Sequence, residues 1–285
     1  MLPPKTPQSR RNSSGLVRDL EILELLAEAQ DGQEDGLGVV RLAQLTGRDK
    51  AVISRTLATL EDSQILERDE SSLAYRLGSR LYALAARTVE STMVTASRPM
   101  LRQLVQSTRE TSHLCVLRGG NVLTLVSELS PYEFRAAGWE GITTAAWRTP
   151  SGRVLISRWA ETALRKWYDE HGHDAAVVGS LGTGASRTGF AVLPVPPKDK
   201  AIVHNFASLK AELEHIRSRG YATLDEELEH GVVGASAPVF DFTGNIIAAV
   251  NVSGPKARIG DRLEALGALV ARSADELSKH LGRRP

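Results

Sequence analysis

The sequence predicts a mixed α/β fold of the α+β type, in which a small helical domain precedes a larger domain built on an antiparallel sheet. At 285 residues the chain has room for about two domains of roughly 150 residues. Helical periodicity in the first part ends in two short extended runs, and the second part combines paired apolar runs with amphipathic helices. Apolar residues make up 42% and charged residues 24%, which argues against a fully disordered chain, a collagen and a disulfide scaffold.

The overall charge favours neither nucleic acid nor acidic lipid. Lys and Arg number 35 and Asp and Glu 34, so the net charge is +1 and any nucleic-acid site must be a local patch. The single cysteine, Cys115, excludes an intrachain disulfide and a cysteine-rich zinc site. There is no apolar run near the ~20 residues that span a bilayer and no signal-peptide core, so we expect a cytoplasmic protein without membrane contact.

Residues 1–14 contain mainly Pro, Ser, Gln and Arg and have almost nothing to bury. They are predicted to form a disordered basic arm, with Lys5, Arg10 and Arg11 and no acidic residue. Such an arm is either a loose phosphate-binding tail or a solvated terminus, and the sequence leaves both open.

Three helices and a hairpin are predicted between residues 15 and 78. The second helix covers 40–45, the third runs from the N-cap Asp49 to Asp62, and the extended runs are 65–68 and 73–77. Ile53, Leu57 and Leu60 form a buried stripe on the third helix, which leaves small and basic residues on its opposite face.

This pattern is typical of a winged helix-turn-helix, whose third helix enters the major groove of DNA. The exposed face would let the backbone approach the bases at its small residues, while Lys50 and Arg55 could reach guanine edges or phosphates. Residues 41–76 hold six basic and six acidic side chains, so the local charge is zero. A three-helix protein-interaction module therefore remains the alternative.

Helical periodicity resumes over 78–106, where Pro99 interrupts it. Since proline is tolerated in a first helical turn, we predict a linker helix at 79–96 and a new helix starting near Ser97. The predicted organisation is a basic arm at 1–14, a DNA-binding domain at 15–78, this linker, and a C-terminal domain at 97–285.

The C-terminal part predicts an antiparallel sheet with flanking helices. Two strand pairs, 112–118 with 122–128 and 232–240 with 246–252, each surround a turn sequence. Residues 172–197, rich in Gly, Ser, Thr and Pro, are expected to form a long irregular surface loop. Helices are expected at 151–159, 161–171, 204–219 and 261–281.

The sequence resembles the IclR-type transcriptional regulators over residues 15–281. No single motif decides the resemblance, but the order and spacing of the motifs across both halves make it specific. The motifs are Leu42–Gly47, Lys50–Leu60, Tyr75–Gly78, Ser151–Leu155, Arg219–Ala222, Asp225–Glu227 with Gly231-Val232, Ala237–Asp241 and Val252–Pro255.

The resemblance implies dimers, or pairs of dimers, that bind operator DNA through a winged helix-turn-helix joined by a linker helix to a GAF-like effector domain. It also implies that a small metabolite alters DNA binding. Gln64 stands where many members have a turn glycine, which leaves the turn into the wing open. The DNA-binding residues are expected to be Arg48, Lys50, Ala51, Ser54, Arg55, Thr59, Arg68 and Arg76.

By the same resemblance, the effector lies against the loop before the Ser151-Gly152 helix, a strand from Asp225 to Gly234, and the strand ending at Ser253. The implied effector-binding residues are Trp147, Thr149, Pro150, Ser151, Leu224, Val232, Gly234, Asn251 and Ser253.

Three of these positions bear on the class of effector. Members that bind small keto acids tend to have an acidic residue in place of Leu224 and a cysteine in place of Gly234, and Trp147 replaces a common histidine. These replacements favour a roomier, more apolar pocket and an aromatic or hydrophobic effector. Trp139 and Trp147 are equally consistent with plain core aromatics.

Catalytic and metal-binding patterns do not rise above background. His171, His173 and Asp174 lack the spacing of metal ligands on one helix face. His113 and Cys115 lie on one side of a predicted strand, so a nucleophile–base pair is conceivable, but nothing marks a lowered thiol pKa. Glu226-Glu227 is not a catalytic carboxylate pair, because neighbouring residues on a strand point to opposite faces. Gly182-Thr183-Gly184 is not a phosphate-binding loop, because no Lys-Ser/Thr follows it.

The sequence therefore predicts a DNA-binding, ligand-responsive transcriptional regulator without catalysis, cofactor or metal. The linker would transmit ligand binding by resetting the spacing of two recognition helices. The competing hypothesis is a metabolic enzyme or a GAF-like small-molecule sensor with an N-terminal protein-interaction module.

Overall fold

A computed structural model describes residues 15–31, 35–135, 139–180 and 199–283. It divides into two compact units, an N-terminal unit that ends at Arg87 and a C-terminal unit that begins at Thr88. The predicted basic arm at 1–14 and most of the predicted loop at 172–197 lie outside the described residues.

The N-terminal unit contains the three predicted helices followed by the predicted hairpin. Its helices are α1 (Gly15–Asp31), α2 (Val39–Thr46) and α3 (Lys50–Asp62), and its strands β1 (Leu66–Arg68) and β2 (Tyr75–Leu77) pair antiparallel. The helices and the hairpin share one apolar core, whose fully buried members include Ile22, Leu26, Leu42, Ile53 and Leu57. The architecture is that of a winged helix-turn-helix.

Local chemistry fixes both ends of α3. Asp49 is the N-cap, as predicted, because its Oδ1 accepts from the amides of Ala51 at 2.8 Å and Val52 at 3.4 Å. After the helix, Gln64 has a φ of +62° and its amide donates to the Glu61 carbonyl at 2.8 Å. The turn into the wing therefore keeps the left-handed conformation that a glycine would favour, although the residue is glutamine.

The helices that follow differ from the prediction. Helix α4 covers Ser79–Ala85, and α5 runs without interruption over Val89–Thr108 with Pro99 inside it. The break thus lies at residues 86–88 and not near Ser97, since Thr88 caps α5 by accepting from the Ser91 amide. Packing of one face of α5 on the sheet keeps the helix continuous through the proline; the buried residues are Met93, Ser97, Leu101 and Leu104.

The C-terminal unit is built on a seven-stranded antiparallel sheet in the order β6-β5-β4-β3-β9-β8-β7. The predicted strand pairs form its centre, and Gly119 and Gly120, with φ of +54° and +81°, make the tight turn of the first pair. The strands are β3 (Thr111–Arg118), β4 (Asn121–Glu128), β5 (Ile142–Thr144), β6 (Val177–Ser180), β7 (Ala222–Asp225), β8 (Val232–Phe240) and β9 (Ile246–Pro255).

Helices cover both faces of this sheet. Helix α5 and the last helix pack on the face that carries Leu114 and Val250, and the helices between β5 and β7 pack on the opposite face, which carries Cys115 and Ala249. We call the latter the inner face. The remaining helices are α6 (Pro150–Ile156), α7 (Glu161–His171), α8 (Phe206–Arg219), α9 (Lys256–Ile259) and α10 (Leu263–His280), with 3-10 turns at Ala146–Arg148 and Gly260–Arg262.

Two further expectations about this unit are wrong. The segment predicted to be irregular from residue 172 contains β6, which adds an edge strand beside β5. The expected single strand from Asp225 to Gly234 is two strands, β7 and β8, joined by a turn in which Glu226 has a φ of +61°. In the part of the chain that the structure describes, none of the helices is long and apolar enough to cross a bilayer.

Replacing Gln64 by glycine is expected to stabilise the N-terminal unit by about 0.5–1 kcal/mol. A left-handed backbone costs a residue with a Cβ about 1–2 kcal/mol, and the larger unfolded-state entropy of glycine cancels only part of that gain. Hydrogen exchange of the α3 amides in the full chain measures the change as increased protection. The neighbouring Ser63 has a φ of −84°, so Ser63→Gly is the matched control and should reduce protection. Reduced protection in Gln64→Gly would show that the turn is not strained.

Candidate DNA interface and ligand site

One face of α3 is free of packing. Ile53 and Leu57, at 0% exposure, fasten the helix to the core of the N-terminal unit. The side chains on the opposite face are therefore held outward by a rigid helix. All of the contact residues expected on α3 are exposed, namely Lys50, Ala51, Ser54, Arg55 and Thr59.

Two of these residues are oriented by the helix itself. The Nε of Arg55 donates to the Ala51 carbonyl at 3.2 Å, and the Thr59 hydroxyl donates to the Arg55 carbonyl at 3.0 Å. The arginine stem therefore lies along the exposed face. Small residues such as Ala51 and Ser54 beside Arg55 would let the helix backbone approach the DNA bases while the arginine reaches into the major groove.

Arg48, expected among the DNA-binding residues, is bound to α1. Its Nη1 donates to the Arg18 carbonyl at 3.0 Å and its Nη2 lies 3.6 Å from Asp19 Oδ1, with the side chain 17% exposed. The sequence pattern did not reveal these partners, because they lie about thirty residues earlier in the chain. The geometry gives Arg48 a role in holding α1 against the start of α3.

The structure does not bring the two wing arginines together. Arg68 pairs with Tyr75 and Arg76 with Glu67 in the register of the hairpin, so the two arginines point to opposite faces. The Arg68 guanidinium lies 5.4 Å from the centre of the Tyr75 ring, and Arg76 Nε lies 3.5 Å from Glu67 Oε2. Only one face of the wing can lie against a given DNA groove.

Several acidic residues of this unit are engaged in local structure. Asp49 caps α3, and Glu67 pairs with Arg76. Asp69 Oδ1 accepts from the amides and hydroxyls of Ser71 and Ser72, and these hydrogen bonds lower the pKa of the Asp69 carboxyl. None of these three acids lies on the exposed face of α3.

The expected effector residues from the sheet share its inner face. In the register of β7, β8 and β9, Leu224 pairs with Gly234, which pairs with Ser253. Asn251 lies two residues before Ser253 and Val232 two residues before Gly234, so both side chains also point to the inner face. Helix α6 covers this face, and Ser151 Oγ lies 3.1 Å from Ser236 Oγ.

A row of polar side chains crosses the inner face from β4 to β8. Ser127, His113, Asn251 and Ser236 are directly opposite one another on neighbouring strands. His113 Nδ1 lies 2.8 Å from Ser127 Oγ and its Nε2 lies 3.2 Å from Ser253 Oγ. From the sequence, His113 was considered only as a possible base, although strand alternation already placed it on this face.

A buried ion pair fixes the start of α6. Arg153 Nη1 and Nη2 donate to the two carboxylate oxygens of Glu227 at 3.1 and 2.6 Å, with side chains 1% and 3% exposed. Arg153 Nε also donates to the Trp147 carbonyl at 2.9 Å, and Glu227 Oε2 accepts from the Ile202 amide at 3.2 Å. One carboxylate thus connects the turn before α6, the β7–β8 turn and the segment that begins at residue 199.

The 3-10 turn before α6 contributes Trp147 and Arg148. The Trp147 indole donates to the Asp174 carbonyl at 3.3 Å and packs with the core beneath α6–α8, as a core aromatic would. Arg148 is only 7% exposed, and burial, followed by repulsion from Arg153, lowers its pKa. Arg148 was missed because nothing in the neighbouring sequence marks this arginine as buried.

Two family models match parts of this chain. The family model described as the IclR helix-turn-helix domain matches residues 15–70, and that of the bacterial transcriptional regulator IclR C-terminal matches residues 199–279. The chain belongs to the IclR family of transcriptional regulators.

Relatives match this IclR-family regulator along most of its length. The HTH-type transcriptional regulator BhcR of Paracoccus denitrificans is 29% identical over 92% of this chain and 85% of its own. The glycerol operon regulatory protein of Streptomyces coelicolor is 28% identical over 95% of this chain and 98% of its own.

Solved structures share the fold. The Thermotoga maritima IclR structure has a TM-score of 0.69 at 21% identity and covers 94% of this chain and 98% of its own. An IclR homologue from Microbacterium hydrocarbonoxydans, crystallised with 4-hydroxybenzoate, has a TM-score of 0.71 at 19% identity and covers 94% and 99%.

The regulator is not an enzyme, in agreement with its relatives. Burial lowers the pKa of His113 to about 4 and raises that of Cys115 to about 11. Both ring nitrogens of His113 lie within hydrogen-bonding distance of serines and Cys115 Sγ lies 3.8 Å from Thr124 Oγ1, so the conceivable nucleophile–base pair is not formed.

The other histidine cluster has a structural environment. His171 Nδ1 lies 2.9 Å from Asp174 Oδ2, which also accepts from Asn121 Nδ2 at 2.8 Å. This contact ties the end of α7 to the β3–β4 hairpin. Within the described ranges, no group of three or more His, Cys, Asp or Glu side chains is placed to hold a metal ion.

Breaking the Arg153–Glu227 pair is expected to lower the free energy of unfolding by about 3–5 kcal/mol, since the remaining partner is a buried unpaired charge. Glu227→Leu should cost more than Arg153→Met, because it removes the carboxylate that accepts from Arg153 and whose charge also acts on Arg148. The double variant should lose less than the sum of the two single losses. Urea unfolding of the full chain measures all three variants, and strictly additive losses would show that the two side chains are not coupled.

The stability of the C-terminal unit is expected to fall as the pH drops from 6.5 toward 4. The unfolded histidine binds a proton near pH 6.5, whereas buried His113 does so only near pH 4, so protonation favours the unfolded chain in this window. The contribution is about 1.4 kcal/mol per pH unit. Comparing unfolding at several pH values for the wild type and His113→Asn measures it, since the variant should show a shallower slope. The same change at exposed His204 is the control and should leave the slope unchanged.

Proposed function

We propose that this IclR-family regulator reads its operator with the exposed face of α3, and that a small molecule bound at the inner face of the sheet sets the operator affinity. The observation that carries the DNA-reading half is the division of α3 into a fully buried stripe and an exposed face with two basic and three small or hydroxyl-bearing residues. Such a face combines close backbone approach with donors for base edges and phosphates.

The DNA contacts divide by role. Arg55, with Ser54 and Thr59, is positioned for base edges, and Lys50 at the start of the helix is positioned for a base or a phosphate. From the wing, either Arg68 or Arg76 contacts the backbone, because the two lie on opposite faces. Arg48 supports the site indirectly through α1.

The effector in this proposal is aromatic or hydrophobic. Leu224, at 3% exposure, and Gly234 make one end of the inner face apolar, while Asn251, Ser253 and Ser151 supply a few orienting polar groups. Small-ligand sites usually combine these features. The Microbacterium homologue was crystallised in complex with 4-hydroxybenzoate, which supports the idea that a related fold accommodates an aromatic molecule.

The effector acts on a homodimer, alone or as a pair of dimers. Two recognition helices must be about 34 Å apart, or a multiple of that, to read successive turns of one duplex. A ligand changes DNA binding only if its affinity differs between the competent and incompetent dimers. The segment over 78–97, which includes α4 and the break before α5, is the proposed route from the ligand to the DNA-binding unit.

Arg55→Ala is expected to weaken operator binding by about 1–3 kcal/mol, the range for a lost base contact. Fluorescence anisotropy with the DNA upstream of the gene that encodes the protein measures this loss. Affinity should fall steeply with salt in the wild type, because phosphate contacts release counterions. Unchanged affinity of Arg55→Ala would remove Arg55 from the site.

The matched control is Arg272→Ala, since Arg272 is an exposed arginine on α10 in the C-terminal unit. Its operator affinity should equal that of the wild type. Salt-insensitive binding by the wild type would favour the protein-interaction module over a DNA reader.

A further inference from the structure

Arg148 is a buried cation with unused hydrogen-bonding capacity. It ends the 3-10 turn before α6, is 7% exposed, and lies with its guanidinium 5.4 Å from the centre of the Trp147 ring. Its Nε and Nη2 are buried and have no hydrogen-bond partner among the described residues. Buried guanidinium groups are normally paired with carboxylates or other acceptors, so this environment calls for an explanation.

The carboxylate of Glu227, whose charge acts on Arg148, already accepts hydrogen bonds from other residues. Glu227 acts on Arg148 through its charge, but both of its oxygens receive Arg153 and one also receives the Ile202 amide. A second buried carboxylate, that of Glu212, acts on Arg153 through its charge and lies 3.5 Å from Arg219 Nη2. Neither carboxylate accepts a hydrogen bond from the Nε or Nη2 of Arg148. Residues 181–198, whose sequence follows β6, contain no Asp or Glu that could supply a further carboxylate.

The two unused nitrogens are the pair that forms the side edge of a guanidinium. Arg258 in the same unit uses this edge, since its Nε and Nη2 donate to the two oxygens of Glu110 at 2.6 and 2.7 Å. A carboxylate matches the edge in shape and donor spacing. Arg148 thus has the geometry of a carboxylate site without a protein carboxylate in it.

We propose that Arg148 is the anchor for the carboxylate of the effector, which is a hydrophobic monocarboxylic acid. This inference rests on the proposed effector function and deepens it. A bound carboxylate would supply acceptors for the unused edge of Arg148, and the partly buried Trp147 beside it offers an apolar surface to the body of the ligand. The family resemblance assigns the flanking residues Trp147, Thr149 and Pro150 to the ligand but not the arginine between them.

The test uses thermal unfolding of the full chain in a buffer free of carboxylates, with benzoate and its neutral analogue benzamide as probes. Arg148→Met replaces the cation by an apolar side chain, and Arg272→Met is the control at an exposed arginine. Without a probe, Arg148→Met should raise the midpoint by about 2–4 °C, the shift typical of removing one unfavourable interaction from a domain of this size.

The response to the probes gives the second result. Benzoate should raise the midpoint of the wild type and of Arg272→Met, whereas benzamide should not. Arg148→Met should respond to neither probe. Arg148→Lys, which keeps the charge but loses the planar edge, should respond to benzoate more weakly than the wild type, and it provides a test should Arg148→Met fail to fold.

Several results would overturn the proposal. A lower midpoint of probe-free Arg148→Met, with Arg272→Met unchanged, would show that Arg148 is a structural cation. Equal responses to benzoate and benzamide, a full benzoate response in Arg148→Met, or no benzoate response in the wild type would exclude a carboxylate anchor. A response to inorganic phosphate but not to benzoate would assign the site to a different anion.

Operator titrations separate this inference from the function on which it rests. Probe-free Arg272→Met should bind operator DNA as the wild type does, since Arg272 is exposed on α10 and lies outside both proposed sites. If the wild type binds operator DNA and the benzoate results fail, only the carboxylate assignment is lost. If the wild type does not bind operator DNA, the proposed function fails whatever the midpoints show.

Discussion

The geometry of the C-terminal unit depends on one buried ion pair. Arg153 and Glu227 are 74 residues apart in the chain, and their contact joins the start of α6 to the turn between β7 and β8. A buried pair gains little over an apolar pair of similar size, but it fixes one arrangement, since either partner alone is a costly charge. The remaining hydrogen bonds of the pair, to Trp147 and from Ile202, extend that arrangement to both neighbouring segments.

The DNA-binding unit shows why a neutral local charge does not exclude nucleic-acid binding. Asp49 at the helix cap, Glu67 beside Arg76 and Asp69 in the wing turn have local partners, while Lys50 and Arg55 lie on the exposed face of α3. The potential at a surface depends on where charges lie, and the count over residues 41–76 contains no information on position. A neutral count over this segment is therefore compatible with two basic side chains on the exposed face of α3.

The sequence predicted what neighbouring residues determine. Helix α3, its Asp49 cap and its exposed face follow from spacing, and the strand pairs follow from turns flanked by apolar runs. Features that depend on distant contacts were missed or wrong. Pro99 favoured a helix break that packing on the sheet overrides, Arg48 has its partners in α1, and the buried environment of Arg148 becomes visible only when α6 is placed against β7 and β8. The expected effector residues that lie on strands share one sheet face, as their strand positions imply.

In the proposed function, the unpartnered edge of the buried Arg148 guanidinium would link ligand binding to conformation. A buried guanidinium edge without a hydrogen-bond partner among the described residues makes the ligand-free arrangement of α6 and the β7–β8 turn less stable than it would be with an apolar side chain. An anion bound to Arg148 offsets the cost of burying the guanidinium. The anion therefore binds more tightly to the arrangement in which Arg148 is buried than to one in which Arg148 is exposed to water. Such a difference in affinity is what a ligand needs in order to shift a two-state equilibrium. Because the Arg153–Glu227 pair joins α6 to the β7–β8 turn, a change at Arg148 would act on both elements.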